Sequence, residues 1–239
     1  MPHGQTTIGK NGSIGKKMSL NQIKENLESV HQKIQALSDN KHPCSLLCVT
    51  KYTSIENMQH LYDAGERHFA ESKVQDAEKK QITLTQGDIT WHMIGHLQRN
   101  KVKKAVQLFD CIQSVDSLRL LAKINEEAEK IQKKQDIYIQ VNLTGEDQKY
   151  GFTLAEFKEN LEQFYQFPSC RIKGIMAMGP HTDSPAQITK VFLETHNCYL
   201  ALKKRHNTPL ELSMGMSSDF ELAIAAGSTM VRIGSLLTQ

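Results

Sequence analysis

Two basic residues interrupt strongly apolar runs. In LLCVTKYTS, residues 46–54, Lys51 closes a Leu-Leu-Cys-Val-Thr sequence of the kind that forms a strand buried on both faces. In TMVRIGS, residues 229–235, Arg232 stands among Met230, Val231 and Ile233. Side chains alternate along a strand, so Lys51 shares a face with Leu47 and Val49 and should point into the interior. Arg232 points inward too if Val231 and Ile233 pack outward against helices. Both charges are costly to bury unless something meets them. An amine can be consumed by a carbonyl carbon, and a guanidinium needs hydrogen-bond acceptors. A structural ion pair from Arg232 to Glu71 or Asp116 is the bland alternative.

A third signal lies between them in the chemistry. In MGMSSDFELAIAAGSTMVRIGS, residues 214–235, Ser218 and Glu221 have capping-box spacing, which predicts a helix from Asp219 that Gly227 would close. The free N–H groups at that helix start, beside Ser217, could cradle an anion, as could the backbone around Gly234 and Ser235. Ordinary capping without a ligand is the alternative. An amine, an anion cradle and an inward arginine together suit pyridoxal 5′-phosphate, which offers an aldehyde, a phosphate and an accepting ring nitrogen. Burial and the nearby arginine would favour the neutral amine of Lys51, the form that makes a covalent imine.

The rest of the chain supplies elements to position these groups. Leu20, Ile23, Leu27, Val30, Ile34 and Leu37 recur at helical spacing, predicting an amphipathic N-terminal helix. Strand-like segments follow at 45–51, 67–72, 89–96, 109–116, 136–143, 171–179, 210–217 and 229–237. Helical patterns separate them, including residues 54–65, with Met58, Leu61 and Tyr62 on one face, and 154–166, with Phe157, Leu161 and Phe164. This cadence predicts a single (β/α)8 TIM-type barrel with an N-terminal helix, spanning residues 19–239 after a flexible leader or expression remnant at 1–18. The competitor, a doubly wound sheet, lacks support because no GxGxxG follows the first strand. In a barrel the strand C-termini carry function, and here they supply Lys51, Glu71, Ser72, Gly95, His96, Ser114, Asn142, Met178, Ser217 and Arg232.

Composition removes other classes. A net charge of +3 over 239 residues gives no case for nucleic acid, and the basic runs at 99–104 and 203–206 read as solvated helix faces. No apolar run approaches the roughly 18 residues of a membrane span, and residues 1–17 contain no secretory signal. Five scattered cysteines without a CxxC suggest a reducing, cytoplasmic setting. His92 and His96 have HxxxH spacing but lie in a strand-like run, where they stand about 13 Å apart, so no metal site is expected.

The strings LLCVTK, RHFAES, WHMIGHLQRNK, IQVNL, KYG, KGIMAMG and SMGMSSDFELAIAAGSTMVRIGS resemble, in order and spacing, the pyridoxal phosphate homeostasis proteins over about residues 20–237. The resemblance implies a barrel like the N-terminal domain of alanine racemase, with Lys51 as the imine lysine and Arg232 facing the pyridine nitrogen. It puts Ser217, Gly234 and Ser235 on the phosphate motif, with the backbone of Met216 nearby. The second-strand motif departs from the family, reading Ala70-Glu71-Ser72 where Gly-Glu-Asn is usual.

An arginine cannot give the ring nitrogen a proton, and an unprotonated ring is a poor electron sink. The resemblance further implies that a racemase takes its second base, a tyrosine, from an extra β domain for which this chain leaves no residues. Tyr52 and Tyr150 are the nearest substitutes, Tyr52 being expected on the face opposite Lys51. The expectation is therefore a monomeric carrier or buffer of pyridoxal phosphate in its homeostasis, without efficient catalysis, that could serve pyridoxal phosphate-dependent apoenzymes. A weak amino-acid racemase is the alternative, and a class I aldolase-type lysine acting on a phosphosugar a third.

Overall fold

Alternating apolar strands and amphipathic helices close into a ring. The computed structural model describes residues 17–38, 43–146, 149–205 and 208–238. The leader up to residue 16, His206 and Gln239 lie outside the described residues. Eight parallel strands pair in chain order as a closed barrel: β1 (Ser45–Val49), β2 (His68–Glu71), β3 (Thr90–Met93), β4 (Cys111–Val115), β5 (Gln135–Val141), β6 (Cys170–Ala177), β7 (Glu211–Met216) and β8 (Met230–Ile233). Outside them run α1 (Leu20–Leu37), α2 (Ile55–Asp63), α3 (Val74–Thr83), α4 (Val102–Leu108), α5 (Leu118–Lys130), α6 (Leu154–Glu159), α7 (Pro185–Lys203) and α8 (Phe220–Ala225), with α9 (Ser235–Thr238) after the last strand.

The alternation of side chains divides the core in two. Leu46, Cys48, Phe69, Ile112, Val231 and Ile233 face outward and pack with the helices. Leu47, Ala70 and Met230 form a separate inner cluster, and Cys111, Tyr138 and Met176 another. The helix α1 is fixed at its start by a reciprocal capping box between Ser19 and Gln22, and buries Ile23, Leu27, Val30 and Ile34. All five cysteines are free thiols; burial pushes Cys44 and Cys170 up to about 12, so both act as packing groups. Among the described residues no helix is long and apolar enough to cross a membrane.

Several expected elements end early, three of them with consequences for the site or the core. The first strand stops at Val49, so Thr50 and Lys51 lie beyond it. The last stops at Ile233, and the expected strand to residue 237 is instead α9, whose Leu237 and Thr238 N–H groups bond back to Gly234 O. The expected helix over 154–166 breaks after Glu159, where the Asn160 side chain donates to Glu156 O, and resumes as a single 3-10 turn at Gln163–Gln166. Phe157 and Phe164 are nevertheless both buried, so the apolar spacing survives the break.

The end of β1 is held by a buried ion pair. Lys80 of α3 donates to Glu71 Oε1 at 2.7 Å and to Thr50 O at 2.6 Å, while Thr50 Oγ1 donates to the same carboxylate oxygen at 2.6 Å. Glu71 therefore faces α3 and not the barrel interior. Its burial raises its pKa, an effect the Lys80 ammonium opposes. Lys80→Met should lower stability by about 3–5 kcal/mol at neutral pH, because it strands a buried carboxylate. Glu71 already has a raised folded pKa, and losing Lys80 raises it further, so the loss should shrink as pH falls and the carboxyl takes up a proton. Urea unfolding of both proteins across pH measures this.

Candidate functional site

At the C-terminal end of the barrel a cavity of about 380 Å³ opens between β1, β7 and β8. Its lining includes Val49, Lys51, Tyr52, Ile94, Met216, Ser217, Ser218, Arg232, Gly234 and Ser235. The end of β7 is shaped by Gly215, whose φ of +92° suits the irregular register between Ser213 and Met216, and where a Cβ would lie 2.5 Å from that of Ala223. Gly234 allows a second close approach: a Cβ there would fall 2.9 Å from Val49 O. Its N–H reaches Ser217 Oγ at 3.4 Å, which joins the two loops into one wall.

Arg232 is 3% exposed and points into the barrel. One terminal nitrogen donates to Ser213 O at 2.7 Å and Ser213 Oγ at 2.9 Å, the other to Ala177 O at 2.8 Å. Glu71 and Asp116, the partners of the alternative ion pair, are engaged elsewhere, with Lys80 and His96. Burial lowers the arginine to about 10 and the nearby Asp219 opposes that, so the guanidinium stays protonated at neutral pH. Asp219 occupies the N-cap position of α8 that Ser218 was expected to fill, and its carboxylate accepts from Met216 N at 2.6 Å. The Ser218–Glu221 box does not form because the chain turns one residue later, and Asp219 is spent on the loop. Gly227 does end the helix, at φ +95°, with Ser228 N bonded to Ala223 O.

Lys51 departs from the expectation of a buried amine. It is exposed, in the turn after β1, and reaches the cavity from the rim. Tyr52 also lines the cavity, with Lys51 Nζ 5.3 Å from its ring centre, because strand alternation no longer applies past Val49. Asn142 and Met178 are not in the lining. The Asn142 side chain ties its own loop together, donating to Glu146 O and Lys149 O and accepting from Thr144. Met178 packs against the Cys111–Tyr138–Met176 cluster. Tyr150 stacks on His96, centres 3.6 Å apart, and His96 in turn meets Asp116 at 2.9 Å.

Two interior residues escaped the sequence reading, Ser213 and Gln113, and His92, weighed there only as half of a metal pair, joins them. Arg232 bonds Ser213, Ser213 Oγ donates to Gln113 Oε1 at 2.8 Å, and Gln113 Nε2 meets His92 Nδ1 at 3.1 Å. Their signal was polarity at inward positions of CIQSV, ELSMGM and TWHM, where apolar side chains are the rule. His92 lies in β3 whereas His96 lies beyond it, and no cluster of three or more ligand-type residues that could hold a metal exists among the described residues.

Barrel and site together define a class. Residues 18–239 match the family model for the N-terminal domain of alanine racemase. The pyridoxal phosphate homeostasis protein of Synechocystis sp. is 40% identical over 194 residues, covering 80% of this chain and 89% of that one. Its Escherichia coli counterpart is 33% identical over 225 residues, covering 91% and 96%. The solved structure of PipY from Synechococcus elongatus with PLP bound superposes with a TM-score of 0.82 at 34% identity, covering 91% of this chain and all (100%) of that one. A Clostridium difficile alanine racemase shares the fold at 15% identity, TM-score 0.72, with 56% of its chain covered. The chain belongs to the pyridoxal phosphate homeostasis protein family, within the alanine racemase N-terminal-domain class.

One consequence of the interior is directly measurable. Burial and the adjacent His68 lower His92 to about 3 from 6.5. Its ¹⁵N shifts should stay those of a neutral imidazole from about pH 8 to about pH 5. Because its folded pKa is depressed, the stability tied to it is full above about 6.5 and is lost as pH falls toward about 3.

Proposed function

We propose that this protein binds pyridoxal 5′-phosphate in the cavity at the C-terminal end of the barrel and holds or delivers it, without efficient turnover. The observation that carries the reading is the convergence of Lys51, Arg232 and the loops after β7 and β8 on one cavity. The donor set fits the group: a primary amine, a guanidinium, the Ser217 and Ser235 hydroxyls, and bare backbone at Gly234. Lys51 would hold the aldehyde carbon covalently and reversibly. Arg232 would face the ring nitrogen, and Ser217, Gly234 and Ser235, beside the backbone of Met216, would take the phosphate. The pyridoxal group, when bound, supplies an electrophilic carbon and a conjugated ring.

The chain's own residues argue for carriage over catalysis. A guanidinium donates a hydrogen bond and keeps its proton, so Arg232 leaves the ring nitrogen unprotonated and the ring a weak electron sink. Lys51 sits at an exposed rim, where it can exchange its partner with solvent or with an apoenzyme. Tyr52 beside Lys51 sustains a second reading, a slow racemase with a lysine and a phenol as its two bases.

Borohydride reduction of the loaded protein followed by peptide mapping should place the pyridoxyl label on Lys51, and Lys51→Ala should abolish it. A label on another lysine rejects the site. Alanine incubated in heavy water should gain deuterium at its α-carbon no faster with the loaded protein than with free pyridoxal phosphate. Exchange accelerated at least 1000-fold and removed by Tyr52→Phe would instead establish the racemase.

Adding a methyl at the bare backbone gives a third check. In Gly234→Ala the new Cβ meets Val49 O at 2.9 Å, so the loop after β8 must move away from the end of β1. Pyridoxal phosphate affinity should fall by about tenfold or more by absorbance titration, a loss of roughly 1.4 kcal/mol.

A further inference from the structure

The hydrogen bonds that hold Arg232 continue across the barrel. From β8 they pass to Ser213 on β7, cross to Gln113 on β4, and go on to His92 on β3. His92 Nε2 meets His68 Nδ1 at 3.2 Å, and His68 is an exposed residue at the opposite, N-terminal end of β2. Every member before His68 is buried, Gln113 and Ser213 completely, at 0% exposure.

The direction of this chain is fixed from the arginine end. A guanidinium has only donors, so Ser213 Oγ must accept from Arg232 and spend its own proton elsewhere. Gln113 Oε1, at 2.8 Å, receives it. That turns the amide NH2 toward His92 Nδ1 at 3.1 Å and Met230 Sδ at 3.3 Å. His92, neutral, then accepts at Nδ1 and donates from Nε2 to His68. Each group has one consistent orientation, and all point their acceptors toward the guanidinium.

We propose that Gln113 is a positioning residue for the bound cofactor: it takes the Ser213 hydroxyl proton, reserves the Ser213 oxygen for Arg232, and so fixes the guanidinium at the cavity wall. This rests on the reading of the cavity as the pyridoxal phosphate site. Without Gln113 the Ser213 hydroxyl can turn its proton toward the guanidinium, leaving Arg232 the carbonyls of Ser213 and Ala177. The effect is therefore partial, about 3- to 10-fold in affinity, the worth of one oriented hydrogen bond.

The test titrates full-length wild type, Gln113→Met, Ser213→Ala and the double variant with pyridoxal phosphate, reading the dissociation constant and the visible absorption band, and maps the borohydride label in each. Each single variant should weaken binding about 3- to 10-fold and shift the band, with the label still on Lys51. The double variant should be no weaker than Ser213→Ala alone, because both changes cut the same link. A label on wild-type Lys51 together with an unchanged constant and band in Gln113→Met overturns the proposal while leaving the cavity reading standing. Additive losses in the double variant overturn it as well, since Gln113 would then act by another route. Should circular dichroism show Gln113→Met unfolded, Ser213→Ala decides alone, and wild-type binding by it overturns the proposal. Absence of a Lys51 label in the wild type overturns the cavity reading and this inference together.

Discussion

A permanently charged guanidinium is buried inside this barrel without a carboxylate bonded to it among the described residues, and the interior is organised around that constraint. Arg232 is met by two backbone carbonyls and one hydroxyl, with Asp219 nearby but occupied by the β7 loop. Neutral acceptors can stabilise a buried cation only if their dipoles are held in place. The barrel provides this by giving up apolar filling at one level. Ser213, Gln113 and His92 stand where branched apolar side chains would ordinarily interdigitate. The remaining inner positions, Leu47, Ala70 and Met230 on one side and Cys111, Tyr138 and Met176 on the other, carry the packing.

A second buried charge, Glu71, governs the opposite side of the cavity from outside the barrel wall. It accepts directly from the Thr50 side chain and, through Lys80, secures the carbonyl of Thr50, the residue before Lys51. The turn at Lys51 is thus anchored on one flank although its amine is exposed. Within Ala70-Glu71-Ser72 the central glutamate is the member with this anchoring role. Ala70 faces inward among Leu47 and Met230, where its small side chain packs in the inner cluster.

Much of this was legible in the sequence because strand alternation and helical spacing are strong signals. The barrel, the N-terminal helix and the inward Arg232 all followed from them. What was not legible depended on where strands stop. Alternation projected past Val49 put Lys51 in the interior and Tyr52 outside, but a turn begins there and both side chains reach the cavity. The helix start at Asp219 was misread because Ser218 and Asp219 are both good caps, and tertiary demand for an acceptor at Met216 N decided between them. Asn142 was drawn toward the site by its place after β5, yet its amide serves the local loop. Gln113 and Ser213 went unremarked, and His92 was weighed only as a metal ligand, since a polar residue in a strand shows its partners only once the strand across the barrel is known.

The position of Lys51 in a turn bears on how cargo would come and go. An amine on the strand proper would be sealed beneath the rim, and release would wait on rare opening of a rigid cylinder. An amine on a short exposed segment instead meets water and incoming nucleophiles directly, while the guanidinium and the paired loops keep their shape. Handover from Lys51 would then be a local event of the tether, with no opening of the barrel required.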